Sequence, residues 1–386
     1  MIAPMGPLSG LRILELEAIG PVPFGAMMLA DMGADVLLVD RPSDPRLGFG
    51  RERGFDVMLR GRRSVTLDLK SAQGAEAVLR LAEKADAIVE GFRPGVMERL
   101  GLGPAVMLAR NPRLVYGRMT GWGQEGPLAA RAGHDIDYIA LSGVLHAMGR
   151  PGEAPAPPLN LVGDFGGGGM LLAFGVACGV IEARASGRGQ VVDTAMIDGA
   201  ALLATMFSGM LAGGQWSEAR GVNLLDSGAP WYDTYETRDG KYVAIGAIEP
   251  KFYVELLQRL GLDGEALPAQ YERAAWPTLR ARFSAVFATR TRDEWCAAFD
   301  GSDACFAPVL TFSESRRHPQ VASRGGSIEL GGIEQPAPAP RFARTPGAAR
   351  RPPPGRGQGG AAALADWGFA PAEVEHLASL GLGFEA

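Results

Sequence analysis

Alternating strand and helix patterns in the first 120 residues constrain the fold of this 386-residue chain more than any other feature. The predicted strands are the apolar runs at residues 11–16 (LRILEL), 35–40 (DVLLVD), 64–69 (SVTLDL), 86–91 and 113–120. Helical patterns over 24–33 and 75–85 lie between them. Strands that alternate with helices of this length indicate a parallel sheet with helices on both faces. We therefore predict an α/β fold whose large domain is Rossmann-like.

The pattern changes near residue 225 and predicts a smaller α+β domain. Two β-rich runs within 230–248 are joined by Asp239-Gly240, which favours a hairpin, and a helix follows at Pro250. Residues 193–215 have the pattern of one long apolar helix, and 330–360 have the composition of an extended linker. The predicted organisation is a large domain (1–193), a linker helix (194–224), a small domain (225–312), and a return linker with a C-terminal segment that packs on the large domain (313–386).

Composition excludes several classes of protein. A net charge of −5 argues against a nucleic-acid partner, and the three cysteines form no CxxC pair that would indicate a zinc site or a disulfide framework. The N-terminus lacks the basic leader of a signal peptide. The apolar run 170–181 is too short to span a bilayer and predicts a buried helix. We expect a cytoplasmic protein with no membrane partner.

Common nucleotide and hydrolase motifs are absent or misplaced. GWGQEG at 121–126 matches the dinucleotide pattern GxGxxG, but Pro127 follows it where a helix should begin. No P-loop, GxSxG elbow or HExxH motif occurs.

His134, in the stretch AGHDIDY, is a candidate proton-transfer group. Helical spacing follows it, so His134 lies at a helix start with Asp135 and Asp137 in the first turn. These acids can simply stabilise the helix dipole, by roughly 0.3–1 kcal/mol each. Alternatively, the helix end and the carboxylates balance each other and keep the imidazole pKa near neutrality, where a base is effective. Both interpretations fit the sequence.

Two carboxylates are further candidates. Asp164 precedes four glycines in GDFGGGGM, either as a helix cap with a flexible loop or as an acid–base group beside backbone N–H donors that a ligand can approach closely. Glu249 ends a strand pattern before Pro250, either as a helix cap or as a group that orients His134 across a domain interface. A histidine, an aspartate and N–H donors would suit removal of a proton α to a carbonyl.

Basic residues follow several of the predicted strands. Each one alone is typical of a solvated surface charge, but together they indicate a site for a phosphorylated ligand at the carboxyl edge of the sheet. They are Arg41, Lys70, Arg93 and Arg99.

Several long motifs together resemble those of the α-methylacyl-CoA racemases, within the family III CoA-transferase superfamily. They are PLSGLRILEL, MGADVLLVDRP, VEGFRPGVMERLGLGP, MTGWGQEGP, AGHDIDY, LNLVGDFGGGG, DTYETRDGKYVAIGAIEPKFY and SDACFAPVL, and the resemblance extends from about residue 7 to the final DWGF segment.

The resemblance implies an isomerase of lipid metabolism that inverts the α-carbon of a 2-methylacyl-CoA. His134 and Asp164 would transfer the proton, Glu249 would pair with His134, and Asp135 would lie beside them. No separate cofactor or metal is implied, because CoA is part of the substrate. The implied partner is a second copy in an interlocked homodimer. The implied CoA-binding residues are Arg41, Leu67, Asp68, Leu69, Lys70, Gly91, Phe92, Arg93, Arg99, Gly133, Asp137 and Tyr138.

Two alternatives remain open. In a CoA transferase of the same superfamily, Asp164 would be a covalent nucleophile, and His134 would have no evident role. A non-catalytic CoA-binding protein would not need His134, Asp164 and Glu249. The sequence also departs from the pattern, since Asp137 stands where the racemases usually carry Asn.

Overall fold

The computed structural model describes residues 6–43 and 52–383 and divides the chain into two compact units. Unit 1 comprises Met1–Ser142, Leu159–Ala204 and Ala322–Ala386, and unit 2 comprises Gly143–Pro158 and Thr205–Val321.

In chain order, the strands of the described residues are β1 (Arg12–Leu16), β2 (Asp35–Asp40), β3 (Arg62–Thr66), β4 (Ala87–Glu90), β5 (Val115–Thr120), β6 (Val191–Ala195), β7 (Tyr232–Glu236), β8 (Tyr242–Gly246), β9 (Phe306–Pro308), β10 (Ser327–Leu330) and β11 (Ile333–Pro336). The α-helices are α1 (Pro21–Asp31), α2 (Ala72–Ala82), α3 (Val96–Arg99), α4 (Pro104–Arg110), α5 (Asp135–Leu141), α6 (Met170–Ser186), α7 (Met196–Leu203), α8 (Thr205–Ala212), α9 (Pro250–Leu260), α10 (Trp276–Phe287), α11 (Arg292–Phe299), α12 (Phe312–Arg317), α13 (Pro319–Ser323), α14 (Gly360–Asp366) and α15 (Pro371–Ser379).

Unit 1 is built on a six-stranded parallel sheet of order β3-β2-β1-β4-β5-β6. This is the order of a dinucleotide-binding Rossmann sheet, in which ligands bind at the carboxyl edge where the order reverses, here between β1 and β4. The predicted α/β class is confirmed, as are the first five strands, although β3 begins two residues earlier than expected. The interlocked dimer stays a prediction.

The sheet is buried on both faces, because alternate side chains of each strand enter different cores. Leu14 and Leu16 of β1 belong to one core cluster, which also contains Trp367 from the C-terminal segment. Ile13 of the same strand belongs to the opposite cluster, together with residues of α1 and α6.

The prediction of one long helix over 193–215 is wrong. Residues up to Ala195 form β6, which pairs with β5 from Tyr116↔Val191 to Thr120↔Ala195. The following helical stretch is interrupted at Ala204, between α7 and α8. The apolar run hid both features, because a short edge strand and a helix of similar composition follow each other without a glycine or proline between them.

The glycine run after Asp164 is helical, which corrects the expectation of a flexible loop. Leu161–Gly169 form a π-helical segment that continues directly into α6. Neighbouring backbone explains the glycines: a Cβ on Gly167 would lie 2.6 Å from Ala200 N, and one on Gly169 would lie 2.6 Å from Pro21 O. These positions are therefore closed by packing against α7 and α1, and not open to a ligand.

The helical stretch Leu161–Ser186 spans 26 residues and is, by length and composition alone, able to cross a membrane. It is longer than the 170–181 run considered in the sequence. The core helix of a folded domain passes the same test, and Leu172 and Val176 of this helix are buried against Gly117 of β5.

Unit 2 contains a three-stranded antiparallel sheet of order β7-β8-β9. The hairpin predicted around Asp239-Gly240 joins β7 to β8, and Gly240 has φ +70°, as its turn requires. The predicted helix at Pro250 is α9. Buried aromatic side chains of Trp231, Phe283 and Trp295 fill the core of the unit.

Within the predicted extended linker, β10 and β11 form a hairpin. Leu330 pairs with Ile333 across Gly331-Gly332, whose φ values of +62° and +75° are those of a type I′ turn. The two glycines therefore mark a turn, where composition alone had indicated a linker.

Candidate active site

The expected CoA-binding residues of unit 1 follow the carboxyl ends of its parallel strands, which all lie at one edge of the sheet. Arg41 directly follows β2, and Gly91 directly follows β4. Residues 67–70 follow β3, and α5 comes after β5.

Arg41 and Phe92 are brought together at this edge. The Arg41 guanidinium carbon lies 5.6 Å from the centre of the Phe92 ring, within the range of a cation–π contact. The Phe92 N–H donates to Glu90 Oε2 at 2.7 Å. A Cβ on Gly91 would lie 2.9 Å from Val22 of α1, so this loop packs closely on the helix.

Four cations of the edge have no carboxylate partner among residues 6–43 and 52–383. No ion pair in these ranges involves Arg41, Lys70, Arg93 or Arg99, whereas several arginines in the framework of unit 1 are paired, as Arg62 is with Glu15. Unpaired cations grouped by the topology can bind phosphate groups.

Residues 67–70 serve different purposes. Leu67 is fully buried in the core, and Leu69 packs against it. Asp68 accepts the Lys70 N–H at 3.0 Å and the Ser71 hydroxyl through its carbonyl oxygen at 2.9 Å. Ser71 in turn caps α2, so this turn leaves the Lys70 side chain exposed beyond the strand.

His134 directly precedes α5, as its position in the sequence predicted. Its side chain is exposed, and its backbone N–H donates to Asp137 Oδ2 at 2.9 Å. The racemases usually carry Asn at this position. Because Asp and Asn both have a side-chain oxygen that can accept, Asp137 makes a hydrogen bond that Asn could make as well.

Asp164 lies within the π-helical segment, half-buried, with its carboxylate 3.2 Å from the position of a Cβ on Gly20. Asn160 donates to its Oδ2 at 2.9 Å. Burial raises the pKa of Asp164, the Asn160 hydrogen bond and the charge of His134 lower it, and the charge of Asp135 raises it. His134 and Asp135 thus act electrostatically on this carboxyl group.

Asp135 joins the two catalytic candidates. It is buried at the first position of α5, and its Oδ1 accepts the Asp164 backbone N–H at 2.7 Å. The Gly163 N–H also donates to this carboxylate, and burial raises the pKa of Asp135. Asp135 Oδ2 is buried without a hydrogen-bond partner among the described residues.

Tyr138 closes the first turn of α5. Its hydroxyl donates to the Gly133 carbonyl at 2.5 Å, and its ring meets Trp122 edge-on at 4.7 Å. Burial and, after it, the charge of Asp164 raise the pKa of Tyr138 to about 12, while the charge of Arg93 lowers it. Arg93 and Asp164 are therefore both near this ring. A Cβ on Gly133 would lie 2.8 Å from both rings, which explains the glycine before His134.

Glu249 belongs to unit 2 and is not part of the group that unit 1 brings together. It is exposed directly before α9. Burial raises the pKa values of Tyr271 and Cys305, and the charge of Glu249 raises both as a second cause. Arg99 is the last residue of α3, and its Nη1 lies 3.2 Å from the position that a Cβ on Gly95 would take.

The sequence did not indicate that Asn160 and Gly20 lie beside Asp164. Asn160 lies four residues before Asp164, a spacing that places two side chains on one helix face, but the glycine run concealed the helix. No group of three His, Cys, Asp or Glu side chains in the described ranges could hold a metal ion.

The chain belongs to CoA-transferase family III, whose family model matches residues 8–359. It is 46% identical over 375 residues to the alpha-methylacyl-CoA racemase of Mus musculus, a match that covers 96% of each chain. The human alpha-methylacyl-CoA racemase is 45% identical over 88% of this chain and 87% of its own. The racemase resemblance of the motifs is thereby confirmed. A solved CAIB/BAIF family protein from Brucella suis superposes with a TM-score of 0.80 at 26% identity, covering 94% of this chain and 100% of that one.

Proposed function

We propose that this protein racemises the α-carbon of 2-methylacyl-CoA thioesters by proton transfer through an enolate. The observation that carries the proposal is the hydrogen bond from the backbone N–H of Asp164 to the carboxylate of Asp135, the residue directly after His134. It occurs in a chain that is 45–46% identical to two alpha-methylacyl-CoA racemases. A base on one face of the α-carbon and an acid on the other are what inversion requires.

The surroundings of Asp164 suit this chemistry. A thioester α-proton is weakly acidic, and a base transfers it more effectively when its own pKa is raised towards the working pH. Burial and the charge of Asp135 both raise the pKa of Asp164, while Asn160 holds one of its oxygens in place. The enolate also needs N–H donors, each worth about 2.7–4 kcal/mol in known oxyanion holes.

We infer that CoA binds along the carboxyl edge of the sheet in unit 1. The unpaired cations there would meet its phosphate groups, and the Phe92 ring with Gly91 would flank its path. No separate cofactor enters this proposal, because CoA is part of the substrate and proton transfer requires no redox group.

We also propose an interlocked homodimer in which Glu249, from unit 2 of one chain, orients His134. Exposed apolar side chains support a second copy as a partner: Met170, Phe174 and Ile181 are at least half exposed on one face of α6, and Leu202 and Leu203 on α7 are similarly exposed. The proposed setting is the cytoplasm, in lipid metabolism, with no nucleic-acid or membrane partner.

The family match favours a second candidate, a CoA transferase with Asp164 as covalent nucleophile. Proton exchange separates the two functions. Wild-type protein incubated with one epimer of a 2-methylacyl-CoA in D₂O, without any acceptor acid, should incorporate one α-deuterium and produce both epimers.

Mass spectrometry and chiral chromatography of the products provide the readout. His134→Ala and Asp164→Ala should each abolish inversion, and His376→Ala, an exposed histidine in α15, should not. A wild-type protein that shows no exchange alone, but moves CoA to an added carboxylic acid, would support the transferase and refute the racemase.

A further inference from the structure

The C-terminal segment runs alongside β3 towards the carboxyl edge of the sheet. The Gly61 N–H donates to the Arg351 carbonyl at 2.9 Å, and the Ser64 N–H donates to the Gln358 carbonyl at 3.1 Å. The Gly357 N–H donates to Ser64 Oγ at 2.9 Å. These bonds fix the segment that carries Arg356.

Arg356 binds groups from two strand ends at once. Its Nη2 donates to Glu17 Oε1 at 2.6 Å, and its Nη1 donates to Glu17 Oε2 at 3.2 Å and to the Arg41 carbonyl at 3.0 Å. Asp40 Oδ1, which is fully buried, lies 3.6 Å from the same Nη1. Glu17 follows β1, and Arg41 follows β2.

Both backbone polar groups of Arg41 depend on this ion pair. Its N–H donates to Glu17 Oε2 at 2.9 Å, and its carbonyl accepts from Arg356. The Arg356 and Glu17 side chains are only 23% and 12% exposed, so water screens the pair weakly. The pair therefore holds the backbone from which the Arg41 side chain extends to Phe92.

We propose that Arg356 is a positioning residue for the nucleotide end of CoA, acting through Glu17 and the backbone of Arg41. This inference rests on the proposed function in that Arg41 meets a CoA phosphate. It assigns a binding role to a C-terminal residue more than 300 positions away from Arg41 in the chain.

Titration calorimetry with CoA and with pantetheine, which lacks the nucleotide phosphates, tests the inference in the full-length protein. Arg356→Ala should weaken CoA binding about 10-fold, as expected for a misplaced charged hydrogen bond, and should leave pantetheine binding unchanged. The double variant Arg41→Ala with Arg356→Ala should bind CoA no more weakly than Arg41→Ala alone, because the two residues act through one contact. Arg344→Ala removes an exposed arginine of the same segment and should not change either affinity.

Two milder variants cover the case in which Arg356→Ala does not fold. Glu17→Gln keeps an acceptor for the Arg41 N–H but loses the charge that holds Arg356, and Arg356→Lys keeps the charge without the two-pronged geometry. Both should weaken CoA binding by about 3–10-fold and spare pantetheine. Equal losses for CoA and pantetheine, additive losses in the double variant, or unchanged CoA affinity in the folded single variants would each overturn the inference.

Because calorimetry needs no turnover, a protein that binds CoA but shows no α-proton exchange would refute the racemase proposal and leave the role of Arg356 testable.

Discussion

Replacing Asp135 by alanine tests whether this carboxylate holds the π-helical segment that carries Asp164. The first N–H groups of any helix lack intrahelical acceptors, and those of Gly163 and Asp164 are satisfied here by Asp135. The residue is only 6% exposed, so water does not readily replace the carboxylate. Each buried donor left without an acceptor costs about 1–3 kcal/mol, and relaxation around the smaller side chain recovers part of this.

We expect Asp135→Ala to lower the free energy of unfolding by about 2–4 kcal/mol. Asp135→Asn retains one acceptor oxygen and should cost about 1 kcal/mol. Asp137→Asn, a change in the same turn at an exposed position, should stay within about 0.5 kcal/mol of wild type. Urea unfolding followed by circular dichroism measures all three.

If Asp164 is the proton-transfer group that we propose, catalysis should respond as well, because a shifted carboxylate would no longer face the α-carbon. The rate of α-deuterium exchange should fall about 100-fold in Asp135→Ala, with CoA affinity retained. An Asp135→Ala protein with wild-type stability and an unchanged denaturant slope would refute the capping role, whatever its activity.

Two further predictions concern the framework of unit 1. Burial raises the pKa of Glu90 from 4.5 to about 7, so the folded state binds more protons than the unfolded state in that interval, and stability falls as pH rises through it. Glu90→Gln removes this pH dependence. When the free energy of unfolding is measured from about pH 5 to about pH 8, the variant should become more stable relative to wild type as the pH rises to about 7. A difference in stability that does not change with pH would contradict the raised pKa of Glu90. Gly167→Ala should cost about 1–3 kcal/mol, because its Cβ meets backbone of α7. Gly209→Ala in α8, where a Cβ meets nothing within 4 Å, should instead gain about 0.5–1 kcal/mol, and equal effects of the two substitutions in thermal unfolding would refute the packing argument.

The parallel sheet was predictable because its strands carry their own signal. Buried central strands are continuous apolar runs rich in branched residues, and β1, β2 and β4 fit this description without tertiary information. The edge strand β6 does not, since Val191 is exposed and the apolar run continues into α7. Its pairing with β5 is a tertiary fact that local composition does not contain.

The candidate site was predictable only where the type of a residue itself indicated a chemical role. His134, Asp164 and the cations at the sheet edge became candidates for this reason, but Asn160 did not. Glycine is a poor helix former, so four in succession predicted a loop. In the structure, the glycines allow the backbones of α1 and α7 to pack directly against the backbone of this segment. This packing outweighs the low helix propensity of glycine. The helix that forms then places Asn160 beside Asp164.

The two interpretations of the acids after His134 are not exclusive. Asp135 stabilises a helix start, but its carboxylate does so for the π-helical segment as well as for α5, and that second contact brings Asp164 near His134. Asp137 holds the His134 backbone through an acceptor oxygen. If Asp164 transfers the proton as we propose, then stability and proton transfer share the hydrogen bonds of Asp135, and Asp135 cannot be replaced without affecting both properties. The two acids differ in burial, since Asp135 is only 6% exposed and Asp137 is exposed to solvent. Solvent can replace the hydrogen bonds of Asp137 more easily, so loss of Asp135 should cost much more stability than loss of Asp137.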